Sequence, residues 1–527
     1  MGTREGRSGS ETLIPFAPPA RLTRRALLTG SGALAAAAAT RRLAALAPAS
    51  PADLAADPRR PQYHLVPPAN WLNDPNGPIY WRGKYHMFYQ YAVDPAGDSP
   101  KLWAHAVSPD MVHWRHLPVA LEPTPGGPDA GGVWTGSALA DGDRVAMFYA
   151  AVVPAPEADA TIRDGAHSLR ESQCLAFASG RDLTHWTKVP AAVIPAPPPG
   201  LDVTGFRDPA PWRDGDQIYM AIGSGLRGRG GCVLLYRSSD LRHWDYLHPL
   251  LEGDVNSSDP AMASDMWECP DFFPLPSTER PDKHVLIHST AGKAFWQSGH
   301  LDRAAMIFHP ERSGILDYGS FYAPKTQLDA HGNRILWGWI TEDRSSAQMR
   351  AAGWSGMMSL PRVLTLDADG NLRIAVAPAV EKLRKAPQRP PLSLFPPGRY
   401  DMKMPMIVRD ACGEVACSFE RSSTPFEITL ASNKGVLLAC QFDPAHPAEI
   451  AIDGKSVPLG PGTSDAELRF YIDGSVIECF ANGYGALTKR FYYEGAAAPD
   501  IAVQLHTAWQ ALSIGQMAPI SPNRLTT

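Results

Sequence analysis

The sequence has little that would favour contact with nucleic acid, zinc or a bilayer. Its 527 residues carry a formal net charge of −5, and no long run of Lys or Arg occurs outside the N-terminus, so nucleic-acid binding is not indicated. The seven cysteines include no Cys-x-x-Cys pair and no zinc-type spacing, and their odd number leaves at least one thiol free or available for an intermolecular bond. The weakly apolar run Ala26–Ala39 is too short for a transmembrane helix, which needs about 20 apolar residues.

A long helical period is also missing between about residues 60 and 365. Short apolar or alternating runs take its place, such as YHMFYQYAV (85–93), QIYMAIGSG (217–225) and KHVLIHSTA (283–291), and turn residues separate them. The 45 glycines and 51 prolines suit many short strands joined by turns. We predict an all-β fold, and a chain of this length predicts two domains.

The N-terminus has the pattern of an export signal. Arg24 and Arg25 precede the weakly apolar run, as in twin-arginine signals, and Ala47-Pro48-Ala49 offers a small-residue cleavage site. A disordered basic leader is the alternative interpretation. We predict that residues 1–50 direct export to the periplasm or the outside of the cell, and we exclude them from the fold.

One phrase occurs three times, as SPDMVHW (108–114), SGRDLTHW (179–186) and SSDLRHW (238–244). Each copy follows a strand-like run, and repeating units built from strands indicate a β-propeller. A single copy would be only a polar turn with a buried Trp, so we predict an architectural role for the phrase.

The domain boundaries follow from composition. We place the propeller at residues 60–365 and a Pro-rich connector at 366–400, which contains the segment KAPQRPPLSLFPPG. Further strand-like runs, including ELRFYIDGSVIECFAN (467–482) with Asp473-Gly474 as a hairpin signal, predict a β-sandwich at residues 401–520.

Three acidic residues stand close to proline and beside aromatic residues: Asp74 in WLNDPNGP, Asp208 in GFRDPAPW and Glu268 in MWECPDFFP. Singly, each is better explained as structural, and we expect Asn73–Gly77 to form a tight turn that presents Asp74. Proline favours an extended backbone before it, which can aim strand-end carboxylates at the centre of a propeller. Two converging carboxylates can cleave a glycosidic bond, one attacking the anomeric carbon while the other protonates the leaving oxygen. The apolar setting of Glu268 suits the proton-donating role.

Seven motifs occur in the order found in glycoside hydrolase family 32, the β-fructosidase group of invertases, levanases and inulinases, which the sequence resembles over about residues 60–510. They are NWLNDPNGP, FYQY, WTGSA, FRDP, WECPDFFP, DYGSFYAPK and RILWGWITE. The resemblance implies a five-bladed β-propeller followed by a C-terminal β-sandwich, and a retaining hydrolase that needs no metal or cofactor. It also implies that the substrate is sucrose or a levan- or inulin-type fructan.

The resemblance assigns roles to the three acids. Asp74 is the nucleophile, Asp208 the transition-state stabiliser and Glu268 the acid/base, with Asp74 and Glu268 about 5–5.5 Å apart as in other retaining enzymes. Eight further residues are implied as the substrate-binding set: Asn73, Gln90, Trp103, Trp134, Ser137, Arg207, Tyr322 and Trp337.

One position departs from the family pattern. Many relatives have a Trp eight residues after the Gln of FYQ, whereas this sequence has Asp98, which leaves the substrate preference open. Two other functions also remain open: a fructosyltransferase that uses the same covalent intermediate, and a carbohydrate-binding protein without catalysis. The presence of all three acids disfavours the binding protein, whereas the products formed at high sucrose would separate the transferase from the hydrolase. The sequence does not indicate an oligomeric state.

Overall fold

Strands dominate the computed structural model, which describes residues 49–163, 165, 168–276, 281–385, 406–421, 424–462, 465–505, 510–522 and 524–525. Residues 1–48 of the predicted export segment and 386–400 of the predicted connector lie outside the described residues. The described part contains three short α-helices: α1 (Pro51–Ala56), α2 (Ser346–Ala352) and α3 (Pro378–Glu381). Within these ranges, no helix combines the length and the apolar character that spanning a bilayer requires.

Five sheets lie between residues 70 and 376. The first contains β1 (Asn70–Trp81), β2 (Lys84–Ala92), β3 (Leu102–Ser108) and β4 (Arg115–Leu121), with β20 (Trp354–Ser355) added in parallel to β1. The second contains β5 (Gly132–Asp141), β6 (Arg144–Pro154), β7 (Ile162–Arg163), β8 (Ser168–Ser179) and β9 (Trp186–Lys188). The third contains β10 (Val203–Asp214), β11 (Gln217–Leu226), β12 (Gly230–Ser238) and β13 (Asp245–Glu252). The fourth contains β14 (Glu268–Pro274), β15 (Lys283–Thr290), β16 (Lys293–Asp302) and β17 (Ile307–Ile315). The fifth contains β18 (Tyr322–Leu328), β19 (Arg334–Ile340), β21 (Met357–Met358), β22 (Arg362–Leu366) and β23 (Leu372–Val376).

The first strands of these sheets surround a common centre. β1 contacts β5, β5 contacts β10, β10 contacts β14, β14 contacts β18, and β18 contacts β1 again. Sheets that radiate from a centre, with their first strands innermost, form a β-propeller. The predictions of an all-β fold and of an N-terminal propeller are confirmed.

The three repeated phrases occupy equivalent turns, between β3 and β4, between β8 and β9, and between β12 and β13. In the first, the Asp110 carboxylate accepts the backbone N–H of His113 at 2.9 Å. In the third, Asp240 accepts the backbone N–H of His243 at 2.8 Å. The phrase therefore closes the outer turn of a sheet, which is the architectural role expected of it.

Two further sheets, built from residues 406–516, pack face to face as the predicted sandwich. One contains β24 (Met406–Val408), β26 (Phe426–Ser432), β27 (Gly435–Phe442), β28 (Glu449–Ile452), β29 (Lys455–Pro458) and β33 (Ile501–Leu505). The other contains β25 (Cys412–Phe419), β30 (Ala466–Asp473), β31 (Val476–Ala481), β32 (Gly485–Arg490) and β34 (Ala511–Gln516). Ile428 and Leu438 of the first sheet and Val415 and Phe470 of the second share one buried core. All seven cysteines of the chain are buried free thiols.

The first part of the predicted connector, residues 366–400, contains regular secondary structure. β22 and β23 form a hairpin in which Leu366 pairs with Leu372, and α3 follows it. The short alternating run of β23 contains no proline, so the Pro-rich composition that marks the connector does not reach back this far. The hairpin packs in one core with Tyr471 and Phe480 of the sandwich, and the two regions therefore share a buried interface.

Candidate active site

Each of the five innermost strands is bulged. The register of strand pairing shifts at five places: Leu72–Pro75, Val133–Gly136, Arg207–Ala210, Glu268–Asp271 and Tyr322–Lys325. Four of the five strands carry a proline at the shift: Pro75, Pro209, Pro270 and Pro324. Proline is accepted at bulges, and a bulge re-aims the side chains next to it. The bulges thus turn side chains from separate strands towards one central cavity.

Asn73–Gly77 does not form the expected tight turn but belongs to β1. A second register shift follows between Asn76 and Ile79, and Gly77 has a φ of 43°. The turn-forming residues produce a doubly bulged strand because the residues on both sides of them pair with β2. Asp74 is still presented to the cavity, by the bulge and not by a turn.

The three predicted catalytic acids line one cavity of about 790 Å³. Asp74 comes from β1, Asp208 from β10 and Glu268 from the first position of β14. Five members of the predicted substrate-binding set line the same cavity: Asn73, Gln90, Trp134, Arg207 and Tyr322. The structure thus brings together the acids and most of the side chains that the motifs identify.

Asp74 is held by a short chain of hydrogen bonds. The Gln90 amide donates to the Thr135 hydroxyl at 2.5 Å, and that hydroxyl donates to the Asp74 carboxylate at 2.5 Å. Burial raises the pKa of Asp74 to about 7; the bond from Thr135 opposes this shift, and the charges of Asp208 and Glu268 add to it. A carboxyl with few donors and two acidic neighbours is thus held in one orientation, with one oxygen bonded to Thr135.

Asp208 sits on strained backbone, with a φ of 63°. Its carboxylate accepts the backbone N–H of Cys269 at 2.8 Å. Burial raises its pKa to about 6, with Arg207 opposing the shift and Glu268 adding to it. The buried ammonium of Lys325, which donates to the Pro270 carbonyl at 2.9 Å, also favours the charged form of Asp208.

Glu268 is partly solvent-accessible, with 31% of its side chain exposed. Arg207 Nη2 donates to one carboxylate oxygen at 2.9 Å, and the Tyr322 hydroxyl donates to the other. Burial, followed by the negative charge of Glu268, raises the pKa of Tyr322, so the phenol remains a donor. Both oxygens of Glu268 are therefore oriented by donors while the group still faces the cavity.

Two predicted substrate-binding residues lie behind the cavity wall. Trp103 is fully buried, and its Nε1–H donates to the backbone oxygen of Trp134 at 3.0 Å, so it supports a residue that does line the cavity. Ser137 does not reach the cavity, and Thr135 occupies it instead. The bulge in β5 decides which residues of WTGSA face the centre, and the motif alone does not show a bulge.

Trp337 is also displaced from its predicted role. It pairs with Lys325 across β18 and is buried against Trp114, with ring centroids 5.6 Å apart. Trp339 pairs with Tyr322 at the cavity end of the same strands and lines the cavity. The sequence prediction named Trp337 of RILWGWITE, which lies one strand pair farther from the cavity than Trp339.

Several lining residues were not predicted, among them Thr135 and Cys269. Besides donating its N–H to Asp208, Cys269 places its Sγ 3.8 Å from the Asp74 carboxylate. Thr135 and Cys269 each lie inside a motif that supplied a predicted residue, WTGSA or WECP. Both motifs therefore contribute more side chains to the site than the resemblance assigned.

The outer rim of the cavity is ionic at Asp98, the position that departs from the pattern of the resemblance. Asp98 lines the rim and accepts a hydrogen bond from Arg350 of α2, which also pairs with Asp94 at 3.2 Å. Lys101 lies 4.4 Å from the centroid of the Trp71 ring and donates to backbone carbonyls of its own loop. Asp98 therefore ties the 94–101 loop to α2.

Among the described residues, no group of three or more His, Cys, Asp or Glu side chains is placed to hold a metal ion. Three carboxyl groups face the cavity in different surroundings. Asp74 is hydrogen-bonded to Thr135, and Glu268 is partly exposed and oriented by two donors. Asp208 is buried, and its pKa is raised. This arrangement can perform nucleophilic and acid–base catalysis on a bound sugar.

Comparison with known proteins agrees with this geometry. Residues 64–377 match the glycosyl hydrolases family 32 N-terminal domain, and residues 412–509 match the family 32 C-terminal domain. The chain is 32% identical to a sucrose-6-phosphate hydrolase of Escherichia coli, over 85% of this chain and 94% of the relative. It is also 32% identical to a raffinose invertase of Escherichia coli, over 82% of this chain and 89% of the relative. The crystal structure of fructan 1-exohydrolase IIa from Cichorium intybus matches with a TM-score of 0.70 at 25% identity, over 88% of this chain and 98% of that one.

Proposed function

The chain belongs to glycoside hydrolase family 32, and from this premise we propose that it hydrolyses β-fructofuranosides and releases fructose. The proposed substrates are sucrose and levan- or inulin-type fructans. The observation that carries the proposal is the meeting of Asp74, Asp208 and Glu268, from three propeller strands, in one cavity.

The proposed reaction has two displacement steps. Asp74 attacks the anomeric carbon of the fructosyl unit while Glu268 protonates the oxygen of the departing sugar, which leaves a covalent fructosyl ester on Asp74. Glu268 then takes a proton from water, the water oxygen attacks the same carbon, and Asp74 leaves as a carboxylate. Asp208 accepts hydrogen bonds from sugar hydroxyls and stabilises the positive charge that develops on the ring. The separation of about 5–5.5 Å between the carboxyls of Asp74 and Glu268 stays a prediction of this mechanism.

Charge in the cavity favours substrates without a phosphate group. Four carboxylates line it, those of Asp74, Asp98, Asp208 and Glu268, and its two cations are already engaged. Arg207 is paired with Glu171 and Glu268, and Lys101 is bonded to backbone carbonyls. A phosphate dianion in this cavity would meet more negative than positive charge. We therefore expect sucrose to be a better substrate than sucrose 6-phosphate.

We also propose the finer architecture and the location of the protein. The five N-terminal sheets, whose first strands contact one another in a closed ring, are the five blades of the propeller. Residues 1–50 direct export through the twin-arginine route. Replacement of Arg24 and Arg25 by lysine should keep the protein in the cytoplasm, and recovery of the variant outside it would contradict this.

The first experiment is a product assay by ion chromatography. Sucrose, sucrose 6-phosphate, levan and inulin are offered separately to the protein, to Asp74→Ala, and to Asp240→Ala as a control that removes an exposed turn carboxylate. We expect fructose from the unphosphorylated substrates, its near-complete loss in Asp74→Ala and its retention in Asp240→Ala. NMR of the first product should show the β-anomer, because two displacements retain the configuration.

The other outcomes assign other functions. Fructosyl oligomers formed from sucrose in an Asp74-dependent reaction would make the protein a fructosyltransferase. Folded protein that turns over none of these fructosides would overturn the hydrolase and favour the carbohydrate-binding protein. A preference for sucrose 6-phosphate would contradict the charge argument alone.

A further inference from the structure

A fourth acid lies behind the cavity, outside the reaction described above. Glu171 of β8 is fully buried, and no part of its side chain reaches solvent. One carboxylate oxygen accepts the Thr161 hydroxyl at 2.8 Å and the backbone N–H of Phe206 at 2.6 Å. The other accepts Arg207 Nη1 at 2.9 Å. A buried carboxylate with this many donors is fixed in position.

Arg207 is shared between this acid and the proposed acid/base. Its Nη1 donates to Glu171 and its Nη2 to Glu268, both at 2.9 Å, so one guanidinium lies between two carboxyl groups. Gly205 leaves room for the guanidinium in this position, because a Cβ there would lie 2.5 Å from Arg207 Nη1. The ion pair between Arg207 of β10 and Glu171 of β8 thus belongs to the packing of these two strands.

We propose that Glu171 is a positioning residue for the acid–base steps, holding Arg207 in place and neutralising part of its charge so that Glu268 can keep its proton until the leaving oxygen takes it. The inference rests on the proposed function, since it concerns the acid/base of that reaction. Without a partner behind it, the full positive charge of Arg207 would act on Glu268 and favour its ionised form. A general acid that loses its proton too early cannot assist the departure of a sugar.

The other ionisable groups near Glu268 stay the same when Glu171 changes. They are Asp74 from β1, Asp208 from β10, Cys269 from β14, and Tyr322 and Lys325 from β18. Burial alone would lower the pKa of Arg207, but the carboxylates of Glu171 and Glu268 outweigh it and raise the pKa above its ordinary value. The guanidinium therefore stays charged. A change at Glu171 therefore reaches Glu268 through Arg207.

The test compares the pH dependence of kcat/KM for Glu171→Gln and Glu171→Asp. Gln removes the charge with little change of shape, whereas Asp keeps the charge and shortens the side chain. For sucrose we expect the alkaline limb of the Gln variant to move down by about one pH unit, and that of the Asp variant to stay within about 0.3 unit of the parent. Glu157→Gln, which removes an exposed acid from the segment between β6 and β7, should leave the limb unmoved.

A second substrate separates a chemical effect from damage to the fold. p-Nitrophenolate leaves an aryl β-fructofuranoside with little need for protonation, so Glu171→Gln should lose at least about tenfold more kcat/KM at pH 7 on sucrose than on the aryl substrate. An equal loss on both substrates, or an unmoved alkaline limb in folded Gln variant, overturns the inference. Should the Gln variant not fold, the Asp variant still decides, because a limb that moved by a full unit with the charge retained would contradict charge sharing. Absence of turnover by the parent protein would overturn the proposed function instead.

Discussion

Two groups of buried acids in this molecule face opposite electrostatic surroundings. Asp74 and Asp208, two of the proposed catalytic acids, have pKa values raised by burial, to about 7 and about 6. A second group, which we name the junction cluster, lies between the propeller and the sandwich. Its side chains are fully buried and consist of His64, Asp317, Arg362, Asp473 and Glu478.

In the junction cluster the buried carboxylates are met by donors from the protein. Asp473 accepts the backbone N–H groups of residues 62–64 at 2.6–2.9 Å, together with His64 Nδ1 at 2.8 Å. Glu478 accepts His64 Nε2 at 2.9 Å and Arg362 at 2.6 Å. Burial alone would raise the pKa of Glu478, but Arg362 and His64 outweigh it and lower the pKa. The same burial that destabilises the charge of Asp74 is compensated here.

The two groups of acids differ in how many hydrogen-bond donors of the protein reach their carboxylates. In the cavity, Asp74 accepts one short hydrogen bond from Thr135, and Asp208 accepts one backbone N–H. The oxygens left over are those that a sugar or a reacting carbon can use. In the junction cluster the donors come from the protein, which fixes the two regions to each other and leaves nothing for a ligand.

From the contrast between the two groups of acids, we expect the largest effect to be a loss of turnover when Asp74 is replaced. Asp74→Asn should lower kcat on sucrose by at least about 1,000-fold, because an amide cannot form the fructosyl ester. The fold should persist, since the Thr135 hydroxyl can still donate to the amide oxygen. Rates are measured with circular dichroism as the check on folding, and a folded variant that kept a tenth of the activity would contradict the assignment of Asp74.

The junction cluster predicts the reverse pattern, a large loss of stability with turnover retained. Glu478→Gln should lower the free energy of unfolding by about 3–5 kcal/mol, because it leaves Arg362 and His64 short of a buried counter-charge. Urea unfolding measures the change, and kcat at 25 °C in the still-folded variant should stay within about twofold. The matched control is Glu449→Gln on the exposed side of β28, for which we expect at most about 0.5 kcal/mol. Equal stabilities of the two variants would refute the contrast between the regions.

The acids of the cavity could be predicted from the sequence, whereas the junction cluster could not. Asp74, Asp208 and Glu268 stand inside local motifs whose prolines mark bulged strand ends, so short stretches of chain carry the signal. Asp473 was predicted only as part of a hairpin, and it does close the turn between β30 and β31. Its carboxylate, however, binds residues 62–64, more than 400 positions away. Nothing in the composition around either segment indicates that pairing.

Strand pairing also explains the errors inside the cavity. Ser137 and Trp337 were chosen from the correct motifs, but Thr135 and Trp339 face the centre. Which of two nearby side chains faces the cavity depends on the position along the strand at which the pairing register shifts. These are properties of two strands together, so one motif read alone identifies the strand and not the side chain.

A third prediction uses pH to single out His64. Burial opposes its charge, but hydrogen bonds from the ring to Asp473 and Glu478 outweigh this and raise its pKa to about 9. The unfolded value is 6.5, so the stabilisation is fully present below pH 6.5 and is lost as the pH rises through about 9. We expect the protein to lose about 2–3 kcal/mol more stability than His64→Gln between pH 6 and pH 10. Urea unfolding at several pH values gives both curves, and parallel curves would show that His64 is not charged in the fold.

The smallest predicted effect concerns Asp74 again, this time the effect of its charge on the free energy of unfolding. Its pKa is about 7 in the folded protein and 3.8 as an ordinary Asp, so the folded state binds the proton more tightly than the unfolded state does. The penalty is absent below pH 3.8, grows as the pH rises from there, and is complete above about pH 7. Asp74→Asn should therefore be more stable than the parent by about 1–2 kcal/mol at pH 8 and nearly equal to it at pH 4, the gain being limited because solvent reaches part of the side chain. Thermal unfolding at the two pH values measures it, with Asp240→Asn as the exposed control that should gain nothing at pH 8. A gain for Asp74→Asn at pH 8 but not at pH 4 would show that the ionised carboxylate of Asp74, the proposed nucleophile, destabilises the fold. A loss at pH 8 would mean that Lys325 and Thr135 already compensate its charge as fully as the junction cluster compensates that of Glu478.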